Sequence, residues 1–389
     1  MSDAAASLPA TAAPLRRARW ATRAQFAVLG VFTGAWGAHI PSVKARYELN
    51  ETTLALVLLS AALGAITSLL VAGRFVARFG ARGAALGAGL AMCCALALVL
   101  QMSSLAALLP VALLLGASSC LFDVAINTEG SELEHRSGRA IMSNLHGMFS
   151  TGGMLGAALV AALLSADVAP SLQLLFVPAV LALWVAIGTR GMLQTHGEAD
   201  NAGAKFAWPR GLLLVIGLLI LSGMIAEGVM YDWCVLYLNQ ELGMPQAQAA
   251  LGYAAFSGAM AVSRFCGDWL RERFSELSLL RAGASLAAVA MATVLLVGTP
   301  GVAIMGFALV GAGLAPVAPI LFNAATRVPG VSRAAAIASV TSVGYAGFMI
   351  GPPLVGGLAR AASLTAALGV VVLGAALLAA FAHWVPAKG

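Results

Sequence analysis

Long apolar runs separated by short polar or basic links set the pattern of this chain, at 24–42, 52–73, 84–103, 106–129, 139–165, 171–189, 210–239, 247–269, 277–298, 301–325, 332–358 and 364–385. Most are about 20 residues long, which at 1.5 Å per residue matches a hydrocarbon layer of about 30 Å. The longer runs must tilt or extend past the lipid. Some links are minimal: Gly298, Thr299, Pro300 and Gly301 are the only break between the ninth and tenth runs. The strand-length alternation of a membrane barrel is missing from these runs, so the pattern predicts an all-α membrane protein with twelve transmembrane helices.

Composition excludes the alternatives. Apolar residues make up 60% of the chain and charged residues 10%, with a mean hydropathy of +0.92. Twenty-two basic and 16 acidic side chains cannot cover a soluble fold of 389 residues. The 43 glycines suit close helix contacts in lipid and follow no collagen-like period. The formal charge of +6 does not point to nucleic acid, because the basic residues sit in small groups between apolar runs. Cys93, Cys94, Cys120, Cys234 and Cys266 lie inside those runs without metal-ligand or CxxC spacing, as small hydrophobes do. Residues 1–23 lack the apolar core and cleavage site of a signal peptide and read as a cytoplasmic tail.

Basic residues set the expected orientation. With the amino terminus inside, 19 of them fall on the cytoplasmic side, while only Lys44, Arg46 and Arg360 fall outside. Both termini are then cytoplasmic, in a bacterial inner membrane. The longest polar link, 191–209, separates a six-helix bundle at 24–190 from a second at 210–385, followed by a short tail at 386–389. A shift of 195 positions lays Arg78-Phe79 on Arg273-Phe274, Gly116 on Gly311, Gly152 on Gly347 and Gly156 on Gly351. Two parallel six-helix repeats imply a pseudo-twofold axis along the membrane normal, with a site between the halves that opens to each side in turn.

At this point the chain resembles the major facilitator superfamily over essentially its whole length. The family's loop signature between the second and third helices, G-x-x-x-D-R/K-x-G-R/K-R/K, is matched here by Gly73, Arg78, Gly80 and Arg82, with Ala77 where the family has aspartate. In the family that acid latches the cytoplasmic helix ends in the outward-open state. The resemblance therefore moves the latch to the second-half copy, where Asp268 and Glu272 are acidic and Arg264 lies one turn before Asp268. Arg78, Arg82, Arg264 and Asp268 are the expected gating residues. The segments 34–41 (GAWGAHIP), 122–130 (FDVAINTEG), 144–153 (NLHGMFSTGG) and 226–233 (AEGVMYDW) are similar to a bacterial branch related to fucose-permease-like sugar transporters. Drug antiporters of the superfamily carry Gly-Pro in the fifth helix. Here the fifth reads Gly152-Gly153-Met154-Leu155-Gly156-Ala157, and Gly351-Pro352-Pro353 is in the eleventh.

Ionisable side chains in lipid-spanning helices are costly unless paired or wetted, so they mark the expected site. Asp123 in the fourth helix and His146 in the fifth lie about 10 Å from the cytoplasmic side and are expected to form a coupled pair. Asn127 and Ser150 follow one turn away on the same faces. Glu227 in the seventh helix, with Tyr231 on its face, is the second-half candidate for proton or solute binding, and Asp232 is a further proton-coupling candidate. Trp36 suits stacking on a sugar ring; packing in the interface belt explains it equally well. His39 reads as an outer-gate or surface histidine. Asn323 and Tyr345 are expected to add hydrogen bonds. Glu129, Glu132 and Glu134 beside Arg136 and Arg139 read as a latch cluster at the cytoplasmic mouth.

With no GxxxxGK[ST] in the sequence, ATP hydrolysis is not indicated, and neither cofactor nor metal ligand set is expected. The expectation is proton-coupled transport of a sugar or similar small polar solute by a monomer among membrane lipids. Export of metabolites or drugs is the rival within that class. A non-transporting sensor would need a soluble segment longer than any link here. An enzyme would need a nucleophile–base set or metal site, and no such set appears.

Overall fold

The computed structural model describes residues 12–194 and 209–386. The outer parts of both expected tails and most of the 191–209 link, with Lys205, Trp208 and Lys388, lie outside them. The chain is helical throughout: α1 (Ala12–Arg46), α2 (Glu51–Leu98), α3 (Leu105–Ser137), α4 (Met142–Ser165), α5 (Pro170–Thr189), α6 (Leu212–Gln240), α7 (Gln246–Phe265), α8 (Gly267–Arg273), α9 (Glu276–Val297), α10 (Pro300–Leu314), α11 (Val317–Ala325), α12 (Arg333–Ala361), α13 (Leu364–Ala367) and α14 (Gly369–Phe381). Among the described residues ten helices are long and apolar enough to cross a membrane, the 48-residue α2 counting once and α10 with α11, like α13 with α14, counting as one. Splitting α2 into two crossings and adding the less apolar α7 gives twelve.

Gly80 makes α2 into two crossings. Its φ of 70 and ψ of 158 break the helix in a region only glycine occupies without strain. The Tyr47 hydroxyl donates to the Val99 carbonyl oxygen at 2.6 Å, so the residues before and after α2 meet and the element goes over and returns. The expected second and third spans are therefore right, and within the signature segment the break is confined to Gly80, with helix on either side. Other ends follow local chemistry. Asn50, Ser104, Ser275, Ser332 and Ser363 accept from the backbone N–H three residues on. Left-handed Gly138 and Gly298 close α3 and α9. Pro316 interrupts the tenth crossing between α10 and α11. The first helix begins at Ala12, so residues 12–23, expected as tail, are already helical. Their arginines lowered the hydropathy, but arginine is a good helix former.

Packing shows the repeat. A Cβ on Gly116 would collide with the Ala61 carbonyl oxygen, and a Cβ on Gly311 would collide with that of Phe256. Both the glycines and their partners are 195 positions apart, so the fourth crossing meets the second as the tenth meets the eighth. Within the first half α3 packs on α2, and α4 packs on α1. The halves meet where α4 lies along α7, α2 along α12, and α1 along α6 and α7. The outside is apolar, with Leu70, Phe176, Val289 and Leu296 exposed, as lipid contact requires.

Two faces can be told apart. On the first, near the arginines, Arg17 donates to the Arg190 carbonyl, Leu193 N–H to Glu129 at 2.6 Å, and Arg327 to the Pro386 carbonyl. On the opposite face Lys44 donates to Glu51 at 2.6 Å and to Gln240 at 2.7 Å. The predicted acidic cluster is structural: Glu129 holds the end of the sixth crossing, Glu134 accepts from Ile141 and Met142 N–H at the start of α4, and Glu132 pairs with Arg136.

Candidate functional site

The seam between α4 and α7 holds a polar cluster in an otherwise apolar interior. Along α7, Tyr253, Ser257, Met260 and Arg264 recur at helical spacing and form one stripe. Arg264 is the cation of this seam, its side chain 11% exposed. One terminal nitrogen lies 3.3 Å from a Glu227 carboxylate oxygen on α6, and the other donates to the Ser150 hydroxyl on α4 at 2.7 Å. Ser150 in turn donates to the His146 carbonyl, and Ser143 donates to the carbonyl of Arg264 at 3.0 Å. A single guanidinium thus joins the second half's partly buried acid to the first half's backbone-anchored serine. Its planar fork suits two partners at once.

An aromatic wall surrounds the pair. The Tyr231 hydroxyl sits beside Glu227 and Arg264, 3.6 Å from the Met260 sulfur. Its ring packs on Phe149, Tyr253 and Phe256 at centroid distances of 6.4, 5.4 and 5.2 Å. The Tyr253 hydroxyl lies near Thr33 without closing a hydrogen bond, and the buried Ser257 hydroxyl has no partner among the described residues. A narrow crevice reaches Glu227 from the second half. Ile220, Gly223, Met224 and Glu227 line it on α6; Leu314, Val317 and Ala318 line it at the Pro316 break.

The predicted residues divide into groups. Ser150, His146, Glu227, Tyr231 and Arg264 come together. Arg264, expected at the gate, reaches the centre because its long side chain runs inward from the last turn of α7. Asp123 and His146 do not pair. Asp123 accepts from the Asn127 amide at 2.9 Å, whereas His146 stands edge-on to Phe26 at 5.5 Å and lies near Arg264. Chain order misled here: α3 lies against α2 and α4 against α1, so neighbours in sequence have little shared surface.

Asp232 faces a second crevice, between α6 and α12, lined by Gly228, Trp233, Gly347, Gly351 and Pro352. No hydrogen bond or ion pair to it occurs among the described residues. Gly351 has open space where its repeat partner Gly156 touches the Val31 carbonyl. Trp36 is 8% exposed and packs in the core. His39 is fully buried rather than at the surface. Its Nδ1 is 3.2 Å from Ser42, and its Nε2 faces the Gln173 amide oxygen without closing a bond. Asn323 is drawn away from the centre to the arginine-rich face, where its amide donates to Glu276 at 3.1 Å beside the Arg327–Glu276 ion pair. Arg78 lies over the Phe79 ring and is exposed, Arg82 is half-buried, and neither forms an ion pair among the described residues. The side chains of Asp268 and Tyr345 lie outside the described residues.

Sequence reasoning passed over Tyr253, Ser257 and Gln246. The polar stripe along α7 was the available signal for the first two. Gln246 spans the halves at the opposite face: its amide donates to the Ala38 carbonyl at 2.9 Å and meets Ser42 at 2.8 Å. With the Lys44–Gln240 bond, it ties α1 to α6 and α7 there.

The family model described as Major Facilitator Superfamily matches residues 24–345 and 236–389. An uncharacterized MFS-type transporter of Yersinia pestis is 35% identical over 352 residues, 90% of this chain and 91% of that protein. Membrane protein MosC of Rhizobium meliloti is 30% identical over 355 residues, covering 90% and 86%. Among solved structures, a D-xylose-proton symporter superposes with a TM-score of 0.78 at 14% identity, and the E. coli fucose:proton symporter FucP with 0.67 at 16%, each over 95% of this chain and 98% of the other. At these identities the likeness to the two symporters is one of fold.

Proposed function

The chain belongs to the Major Facilitator Superfamily, and from that premise we propose that it is a secondary transporter that couples proton movement to uptake of a small polar solute, a sugar or sugar derivative. The moving units are 24–190 and 210–385, linked by 191–209, and the protein works as a monomer in the bacterial inner membrane. The arginine-rich face is cytoplasmic, with both termini there, as the positive-inside rule requires. The face tied by Lys44, Gln240, Gln246 and Ser42 is then the outer one, and its cross-half bonds close the outer entrance.

One observation carries this reading: Arg264 binds Glu227 and, across the seam, Ser150. Protonating Glu227 removes Arg264's counter-charge and leaves a largely desolvated cation without its acid. The cation is then released to rearrange, which links proton occupancy to the contact between halves. Glu227 is the principal proton carrier. Asp123, His146 and Asp232 are further titratable positions along the route, and Asn127, bonded to Asp123, borders the solute. Ser150, Tyr231 and Trp36 border the solute. His39 belongs to the outer gate. The solute class is supported by the fold-level neighbours, which are symporters of xylose and of fucose with protons.

Reconstituted vesicles test it. An inward proton gradient should drive accumulation of at least one member of a panel of sugars, polyols and sugar acids, and a protonophore should abolish it. Accumulation that ignores the protonophore would reject proton coupling.

A further inference from the structure

We infer that the solute carries a carboxylate, which replaces Glu227 as the partner of Arg264 when Glu227 takes up its proton. The inference rests on the proton-coupled reading above and narrows it to small polyhydroxy acids.

Charge accounting at the seam leads there. Arg264 on α7 and Tyr231 on its own helix lie against Glu227, and His146 on α4 lies near Arg264. In the closed pair Arg264 and Glu227 cancel. Once Glu227 is protonated, a guanidinium with its side chain 11% exposed remains beside Tyr231 without an anion. A neutral sugar would leave that charge uncompensated in a region of low polarity. A carboxylate restores the balance, and guanidinium binds carboxylate through two parallel bonds. The crevice beside Glu227 is lined by Val317 and Ala318, just past the Pro316 kink of the tenth crossing. The unpartnered Ser257 hydroxyl and the unsatisfied Tyr253 hydroxyl supply bonds for solute hydroxyls. Proton and monoanion would cross together, so the net charge moved is zero.

The test uses the full chain in proteoliposomes with an inward proton gradient, offering D-gluconate, D-glucuronate, D-glucose, D-xylose and a polyol separately. Gluconate or glucuronate should accumulate, the neutral sugars should not compete, and the rate should be unchanged when potassium and valinomycin set the membrane potential. Arg264→Gln should lower acid uptake about tenfold or more, the scale of one charged hydrogen bond. Should that variant fail to fold, Arg264→Lys keeps the charge without the fork, and a partial loss of affinity is expected. Proton-driven uptake of neutral sugars alone overturns the carboxylate assignment and leaves proton coupling standing, while acid uptake that responds to membrane potential overturns the one-for-one exchange of Glu227 for the solute's carboxylate. Absence of proton-driven uptake across the whole panel overturns both.

Discussion

Arg264 on α7 donates to the Ser150 hydroxyl on α4 at 2.7 Å, and this bond crosses the boundary between the two halves of the molecule. It sits beside the Glu227 carboxylate, so a proton arriving at Glu227 is felt at the seam. Ser150→Ala should therefore weaken the contact of the halves without removing any charge. The loss should be about 1.5–3 kcal/mol, the range for hydrogen bonds to ionised groups. Spin labels on the arginine-rich ends of α4 and α7 should show a longer mean distance in the variant. An unchanged distance distribution would mean the bond does not hold the seam.

The same logic applies at the opposite face, where Gln246 joins Ser42 and the Ala38 carbonyl, and Lys44 joins Gln240. Gln246→Ala should open that side more often. Thiol labelling from outside of a cysteine placed at Ala38, in a background without the native cysteines, should speed up several-fold. Equal labelling rates would place the gate elsewhere.

Close helix contact is a matter of missing methyl groups. Gly116→Ala and Gly311→Ala each push a Cβ into a carbonyl oxygen of the paired crossing, whereas Gly301 and Gly357 have open space around theirs. Overpacking costs about 1–3 kcal/mol per site. Detergent-solubilised Gly116→Ala and Gly311→Ala should unfold at lower temperature than the parent, and by similar amounts because the positions are repeats. Gly301→Ala and Gly357→Ala should match the parent.

How far the sequence led can be judged from particular residues. The twelve crossings were readable because burial in lipid depends on local composition alone. The repeat was readable because Gly116 and Gly311 need the same contact. The inside of the bundle was harder. Asp123 and His146 were joined on the assumption that successive helices touch, yet in this topology α3 and α4 turn to other partners. Asn323 was assigned to the solute although Glu276 and Arg327, close in space but distant in sequence, claim its amide. Arg264 was placed by its backbone at a gate, while its charge acts several ångströms further in. The polar signature segment reads as a loop in sequence, whereas helix runs up to Gly80 and resumes directly after it, the break being confined to that residue.

His146 gives a pH test. It lies near Arg264 with its ring against Phe26, and imidazole is a side chain able to take up and release a proton. Wild-type uptake should rise as the outside pH falls. His146→Gln should flatten the rise while retaining counterflow exchange. A superimposable pH profile would remove His146 from the proton route.

Proton movement accompanying the solute tests Glu227 most directly. With a pH dye trapped inside vesicles, addition of D-gluconate to the wild type should acidify the lumen together with solute entry. Glu227→Gln, which keeps a hydrogen-bonding group of similar shape but cannot release a proton, should exchange solute in counterflow without acidifying the lumen. Equal acidification by the two proteins would contradict Glu227 as the proton carrier.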